Sequence, residues 1–354
     1  MSSTDHDQLD RLRAFYQKSW GHSWPTHEVS ADIPTDDSDD ATASDSNDDG
    51  SDEAMATELA DVSRVFTVYD DMQEVAIALD MLSDVMDVLV IREEYKYLHA
   101  ALKDRRARVR SSRKCAVVVT GQPGIGKTTF LLYLLLCRLQ QKSPTAIQIN
   151  DDYFCLFDEE GVAVFEVKQR DCERLRACWA LVDRNSSVEI PCNLFISHAM
   201  FIIQASSPKP TGWLKQLGGY LIVSELPTTL EIAVIATELG LDATLTGRLV
   251  RKWGPSTRDI IRLLELWSDE EGKEELEGEL QNYAEAAARA ALASSGGLAA
   301  MMADINARAL SIDSTGSAVV FVRPFRGGGR RWLGRSQPFI PTKHLAGIVR
   351  EQGT

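Results

Sequence analysis

The octapeptide Gly121-Gln-Pro-Gly-Ile-Gly-Lys-Thr128 constrains this chain more than any other stretch, because of what surrounds it. It follows an apolar, β-branched run, Ala116-Val-Val-Val-Thr120, and opens a leucine-rich stretch, Phe130 to Leu139. That pattern predicts a buried strand, a glycine loop and a helix, in that order. Glycines let backbone amides turn inward without Cβ obstruction, so the loop and the positive helix N-terminus make a nest for phosphate oxygens. Gly121, Gln122, Pro123, Gly124, Ile125 and Gly126 are therefore phosphate-binding candidates, with Thr129 in the first helical turn. Lys127 is placed to reach the β- and γ-phosphates, and the Thr128 hydroxyl to ligate Mg²⁺. ATP and Mg²⁺ are the expected cofactors, although no residue pattern reads a purine edge.

From Cys115 onward short apolar runs alternate with helical ones, the signature of a parallel α/β sheet. The expected fold is a P-loop NTPase with a five-stranded parallel core sheet, an N-terminal helical extension and a C-terminal helical lid. Its strands are placed at 115–120, 145–149, 177–182, 200–205 and 220–223, interrupted by a hairpin, 153–157 and 162–167, around the turn Asp158-Glu-Glu-Gly161. Mg²⁺ needs a carboxylate on a second strand, and Ala177-Cys-Trp-Ala-Leu-Val-Asp183 supplies it, so Asp183 is the second metal candidate. The next residue is Arg184, where many ATPases carry an acidic general base, which predicts slow hydrolysis. Glu189, Asp151 and Asp152 are the possible substitutes. Ser206 ends the strand Phe201-Ile-Ile-Gln-Ala-Ser206 as a candidate γ-phosphate sensor or a plain strand end, and Arg258 opens a helix from which it can reach the nucleotide.

The rest of the chain divides around this core. Asp32 to Glu53 carries ten acidic and no basic side chains; removing those ten charges from the formal net of −14 leaves about −4. Residues 1–54 are expected to be a disordered acidic tail and 55–114 a helical extension, with an amphipathic helix over Val75–Leu89. A second helix, Ile91–Val109, turns basic toward Lys114 and offers either a solvated face or a contact for DNA or a protein partner. The core spans 115–226, a lid 227–310, and a basic C-terminal remnant 311–354. The six cysteines form no C-x-x-C pair and read as reduced core residues. With no secretory signal and no apolar run near the roughly 20 residues that span a bilayer, an intracellular, membrane-free protein is expected.

Several stretches in order resemble the P-loop ATPase domain of Crinkler and retrotransposon-hot-spot-type proteins, within the AAA+ and STAND-like group. They are Ile91-Arg-Glu-Glu-Tyr95, Val119 to Thr128, Leu181-Val-Asp183, Gln204-Ala-Ser-Ser-Pro208 and Trp253-Gly-Pro-Ser-Thr-Arg258, spanning roughly residues 88 to 270. The resemblance implies an ATPase module that regulates or powers an attached effector domain, often nuclease-like. This chain stops where that domain would begin, and residues 311–354, with Asp313 and Glu351 as their only acids, lack an Asp and Glu-x-Lys nuclease set. A nucleotide-dependent switch or slow ATPase is the expected function. The alternatives are a small-molecule phosphotransferase and a DNA-associated interaction protein with a regulatory nucleotide site.

Overall fold

The computed structural model describes residues 3–31, 64–81, 87–109, 114–185, 187–206, 212–306, 316–326 and 336–353. The chain opens with α1 (Ser3–Ser19), β1 (Thr26–Ala31), β2 (Arg64–Tyr69), α2 (Met72–Ala78), β3 (Leu89–Val90) and α3 (Glu93–Arg108). The central part runs through β4 (Cys115–Thr120), α4 (Lys127–Gln140), β5 (Thr145–Gln148), β6 (Tyr153–Asp158), β7 (Gly161–Glu166) and β8 (Trp179–Asp183). It continues with α5 (Asn193–His198), β9 (Phe201–Ser206), α6 (Gly212–Gln216) and β10 (Tyr220–Val223). A helical part follows: α7 (Thr229–Glu238), α8 (Thr246–Trp253), α9 (Thr257–Glu265), α10 (Glu270–Ser295) and α11 (Leu298–Asn306). The hairpin β11 (Phe321–Pro324) and β12 (Ser336–Phe339) then leads to α12 (Lys343–Gln352).

The central sheet has the order β10-β4-β9-β8-β5-β6-β7. Its first five strands are mutually parallel. All residues of β4, β8 and β9 are buried, as strands covered on both faces must be, which is why they read as unbroken apolar runs. The register pairs Thr120 with Ser206 and Asp183 with Ala205, so β4, β8 and β9 end at one edge. In open parallel sheets the ligand site forms at this carboxyl edge.

The sheet has seven strands, the five parallel ones and the two of the hairpin. The hairpin does not interrupt the sheet but widens it, because β6 pairs antiparallel with β5 and β7 with β6. Both faces of β6 are buried, Phe154 and Leu156 in one core cluster and Cys155 and Phe157 in the other.

Three domain expectations are corrected. Residues 3–31 belong to the folded body rather than to an acidic tail: Leu12, Phe15 and Trp24 join the main core, and the Trp24 indole donates to the Asp70 carbonyl at 2.7 Å. The acidic run 32–53 lies outside the described residues. The region 64–109 is not all helix. The expected helix Val75–Leu89 ends at Ala78, part of it (82–86) lies outside the described residues, and Leu89 belongs to β3. Arg64-Val-Phe-Thr-Val-Tyr69 is rich in β-branched and aromatic residues, which favour a strand, and pairs with β1 and β3. Finally, the C-terminal stretch is no remnant. Val319, Val320, Phe321, Leu345, Ile348 and Val349 are buried in one cluster with α7, α8, α9 and α10, and Phe66, Val68 and Val90 of the small N-terminal sheet join it.

Candidate functional site

The loop between β4 and α4 takes the conformation its glycines permit. Gly121, Gly124 and Gly126 have φ of 151°, 76° and 88°. At Gly126 a Cβ would also meet the Tyr95 hydroxyl at 2.4 Å, so both backbone and space demand glycine. Strand, glycine loop and helix follow one another in the arrangement of a P-loop.

Beneath the loop, Thr128 and Asp183 come together. The Thr128 hydroxyl lies 3.0 Å from Asp183 Oδ1 and 3.1 Å from Oδ2. The carboxylate is 8% exposed; burial raises its pKa, while the Thr128 hydrogen bond and the charges of Lys127 and Arg258 pull it back. One hydroxyl and one carboxylate are hard oxygen donors that suit Mg²⁺, which keeps several waters and takes further oxygens from phosphates. Among the described residues no cluster of three or more His, Cys, Asp or Glu offers another metal site.

Lys127 donates to the Gly121 carbonyl at 3.0 Å and the Gln122 carbonyl at 2.6 Å. Burial and the neighbouring Arg258 lower its pKa to about 7, against the pull of Asp183. Phosphate would relieve this strain by supplying the missing countercharge. Arg258 sits at the start of α9, where its amide donates to the Gly124 carbonyl at 3.1 Å, so the helical part rests directly on the loop. Ser206 ends β9 beside Asp183, and its hydroxyl accepts from Arg184 at 3.2 Å. Arg184 thus spans the strand ends at the position where an acid would serve as base. Thr129 neighbours the Tyr95 phenol. Glu189, Asp151 and Asp152 are all exposed.

Sequence reasoning assigned no role to the group that holds loop and helices together. Arg92, 1% exposed, donates to the Ile125 carbonyl at 2.9 Å, to the Glu225 carbonyl at 3.3 Å and to Glu231 at 3.2 Å. Glu231 also closes a capping box with Thr228 at the start of α7. Tyr95 donates to the Gly126 carbonyl at 3.0 Å. The stretch Ile91-Arg-Glu-Glu-Tyr95 carries part of the resemblance noted above, and Thr228-x-x-Glu231 has capping-box spacing, but neither signals that one guanidinium serves three elements.

Among the described residues, much of the basic stretch after Lys103 is committed within the chain, while 110–113 lie outside them. The Arg105 guanidinium lies 3.1 Å from the centre of the Tyr220 ring, Arg108 pairs with Asp104 at 2.7 Å, and Lys114 donates to the Ile196 carbonyl at 3.1 Å. In the C-terminal part Arg326 pairs with Glu94 at 2.6 Å. Arg330, Arg331 and Arg335 of the basic C-terminal segment lie outside the described residues. All six cysteines are free, five of them buried, and burial pushes the Cys155 and Cys178 thiols up to about 12. No helix among the described residues is long and apolar enough to cross a membrane.

No protein-family model matches the chain, and no curated protein matches it. Among solved structures it is similar to the ORC2 protein of Aeropyrum pernix in ADPNP and ADP complexes, at 11% identity and a TM-score of 0.36, over 74% of this chain and 93% of that one. It is also similar to a Walker-type ATPase of Pyrococcus abyssi, at 12% identity and a TM-score of 0.35, over 73% of this chain and 95% of that one.

Proposed function

We propose that this chain is an ATP-binding, Mg²⁺-dependent P-loop NTPase of the AAA+ kind, acting as a nucleotide-dependent switch or slow ATPase. The observation that carries the reading is the Thr128–Asp183 pair, two oxygen donors 3.0 Å apart directly under the glycine loop. Mg²⁺ held there would shield phosphate charge. The loop amides and Lys127 would cradle the β- and γ-phosphates once Lys127 exchanges its bonds to the Gly121 and Gln122 carbonyls for phosphate oxygens. Arg258 would bring positive charge from the helical part, which then acts as a lid whose seating depends on the nucleotide. Ser206, tied to Arg184, would sense the γ-phosphate through that arginine.

The Crinkler-like resemblance extends this proposal: nucleotide state would govern a partner or effector domain. Calorimetric titration with Mg-ATP, on the wild type and on Lys127→Ala, tests the reading. Saturable binding that the variant loses supports it, and absence of binding to the wild type overturns it.

A further inference from the structure

Three consecutive carbonyls of the glycine loop face donors supplied from elsewhere in the chain. The Gly124 carbonyl accepts from the Arg258 amide at 3.1 Å, the Ile125 carbonyl from Arg92 Nη1 at 2.9 Å and the Gly126 carbonyl from the Tyr95 hydroxyl at 3.0 Å. In a planar trans peptide the carbonyl and the next residue's N–H point in opposite directions. Each outside donor therefore sets the direction of one amide: Arg258 that of Ile125, Arg92 that of Gly126 and Tyr95 that of Lys127. None of these three amides donates to another backbone group among the described residues. Successive unpaired N–H groups at a helix N-terminus are what an anion nest presents.

Arg258 gives the loop a backbone amide, which almost any residue there would supply. Arg92 and Tyr95 give side-chain donors, and both are themselves held in place. Arg92 lies just before α3, with Nε 3.2 Å from Glu231 and Nη2 3.3 Å from the Glu225 carbonyl. Tyr95, in the first turn of α3, is 3% exposed, and its ring packs on Phe130 and Tyr133 with centres 5.7 and 5.9 Å away. The Gly126 carbonyl also accepts the Phe130 amide at 2.9 Å, so the Tyr95 hydroxyl is its second donor and α4 keeps its first bond without it. We propose, resting on the nucleotide reading above, that Arg92 and Tyr95 are positioning residues for phosphate binding. They act through the backbone, holding the Gly126 and Lys127 amides in the direction that phosphate oxygens require before a ligand arrives. Donors fixed in advance spare binding the cost of ordering them.

The test is titration of the chain with Mg-ADP and, separately, with Mg-pyrophosphate, which engages the loop without a nucleoside. Tyr95→Phe keeps the ring and removes the hydroxyl. At a temperature where circular dichroism shows the fold intact, it should weaken both ligands by about fivefold. The Lys127 amide proton, followed by ¹⁵N-resolved NMR, should shift downfield on Mg-ADP binding in the wild type and less in the variant. Tyr133→Phe is the control, because its hydroxyl meets Cys137 instead of the loop, and it should leave both affinities unchanged. If Tyr95→Phe does not fold, Arg92→Lys carries the same expectations with the Gly126 amide as the signal, since one ammonium cannot serve all three partners of the guanidinium. Unchanged affinity in the folded variant overturns the proposal, and so does an equal loss in Tyr133→Phe. Weakened ADP with unchanged pyrophosphate also overturns it, placing the residue's effect at the nucleoside. Each of these outcomes leaves the nucleotide reading standing, whereas a wild type that binds neither ligand sinks both.

Discussion

Arg92 and Glu231 form a buried ion pair, Nε to Oε2 at 3.2 Å, that joins the segment before α3 to the first turn of α7. The same guanidinium holds the Ile125 carbonyl inside the glycine loop. Truncating one member of such a pair strands the other charge without a partner, at about 3–5 kcal/mol. Arg92→Ala should therefore lose about that much stability in urea unfolding. Arg92→Lys should recover only part of it, because a single ammonium cannot reproduce the planar fork. A loss under about 1 kcal/mol for the alanine variant would show that the clamp is dispensable.

Lys127→Ala should leave the fold intact and lower Mg-ATP affinity by a factor of ten or more, about 1.4 kcal/mol or above. The lost bonds, to the carbonyls of Gly121 and Gln122, are local to the loop. Asp183→Asn keeps the shape beneath Thr128 but removes the charge, so Mg²⁺ should cease to strengthen ATP binding. Superimposable Mg²⁺ titrations of variant and wild type would place the metal acid elsewhere.

ATP turnover should fall well below the roughly 10 per second median of enzymes. Arg184 stands where a base is needed and is hydrogen-bonded to Ser206, while Glu189 is exposed. Arg184→Glu should raise turnover if the water position is otherwise complete. A wild-type rate above the median, measured by phosphate release, would mean another carboxylate already serves.

His27 bridges Asp70 at 2.8 Å and Glu238 at 2.7 Å, tying β1 to the end of α7. Burial lowers its pKa, but the hydrogen bonds to Glu238 and Asp70 and the charges of both outweigh it, so the value lies above 6.5. A raised folded-state pKa contributes stability that is fully present below the unfolded value and lost as pH rises through the folded one. The wild type should accordingly melt above His27→Asn at about pH 6, with the gap closing as pH rises beyond the folded-state value. Thermal melts across that range check it, and a gap that widens toward alkaline pH would contradict it.

Trp24 is 2% exposed and meets Phe15 edge-on with ring centres 5.6 Å apart. Trp24→Ala should cost about 3–5 kcal/mol, as large-to-small core changes do. Deleting residues 1–31 should lower the melting temperature markedly. An unchanged melting curve would show that this segment is not part of the folded unit.

The glycine loop was legible because its demands are local. Phosphate needs inward amides, only glycine gives them at positive φ, and a strand and a helix must flank them within a dozen residues. Asp183 was legible for a related reason, since a carboxylate closing a five-residue apolar strand stands out against its neighbours. The helical character of residues 227–310 was also expected, and α7 to α11 fall within it. The sequence by itself therefore determined the elements proposed to bear phosphate and metal. Tertiary structure decided the rest, above all the Arg92 clamp across 139 positions and the contact of Gln122 with Ser317 across 195. Neither has a period or a spacing to detect. Each exists because burial leaves a polar group no water, and which distant group satisfies it depends on how sheet and helices pack. The placement of Leu12, Phe15 and Trp24 in the core follows the same logic, for a short apolar face beside an acidic run becomes core only when a surface is there to cover it.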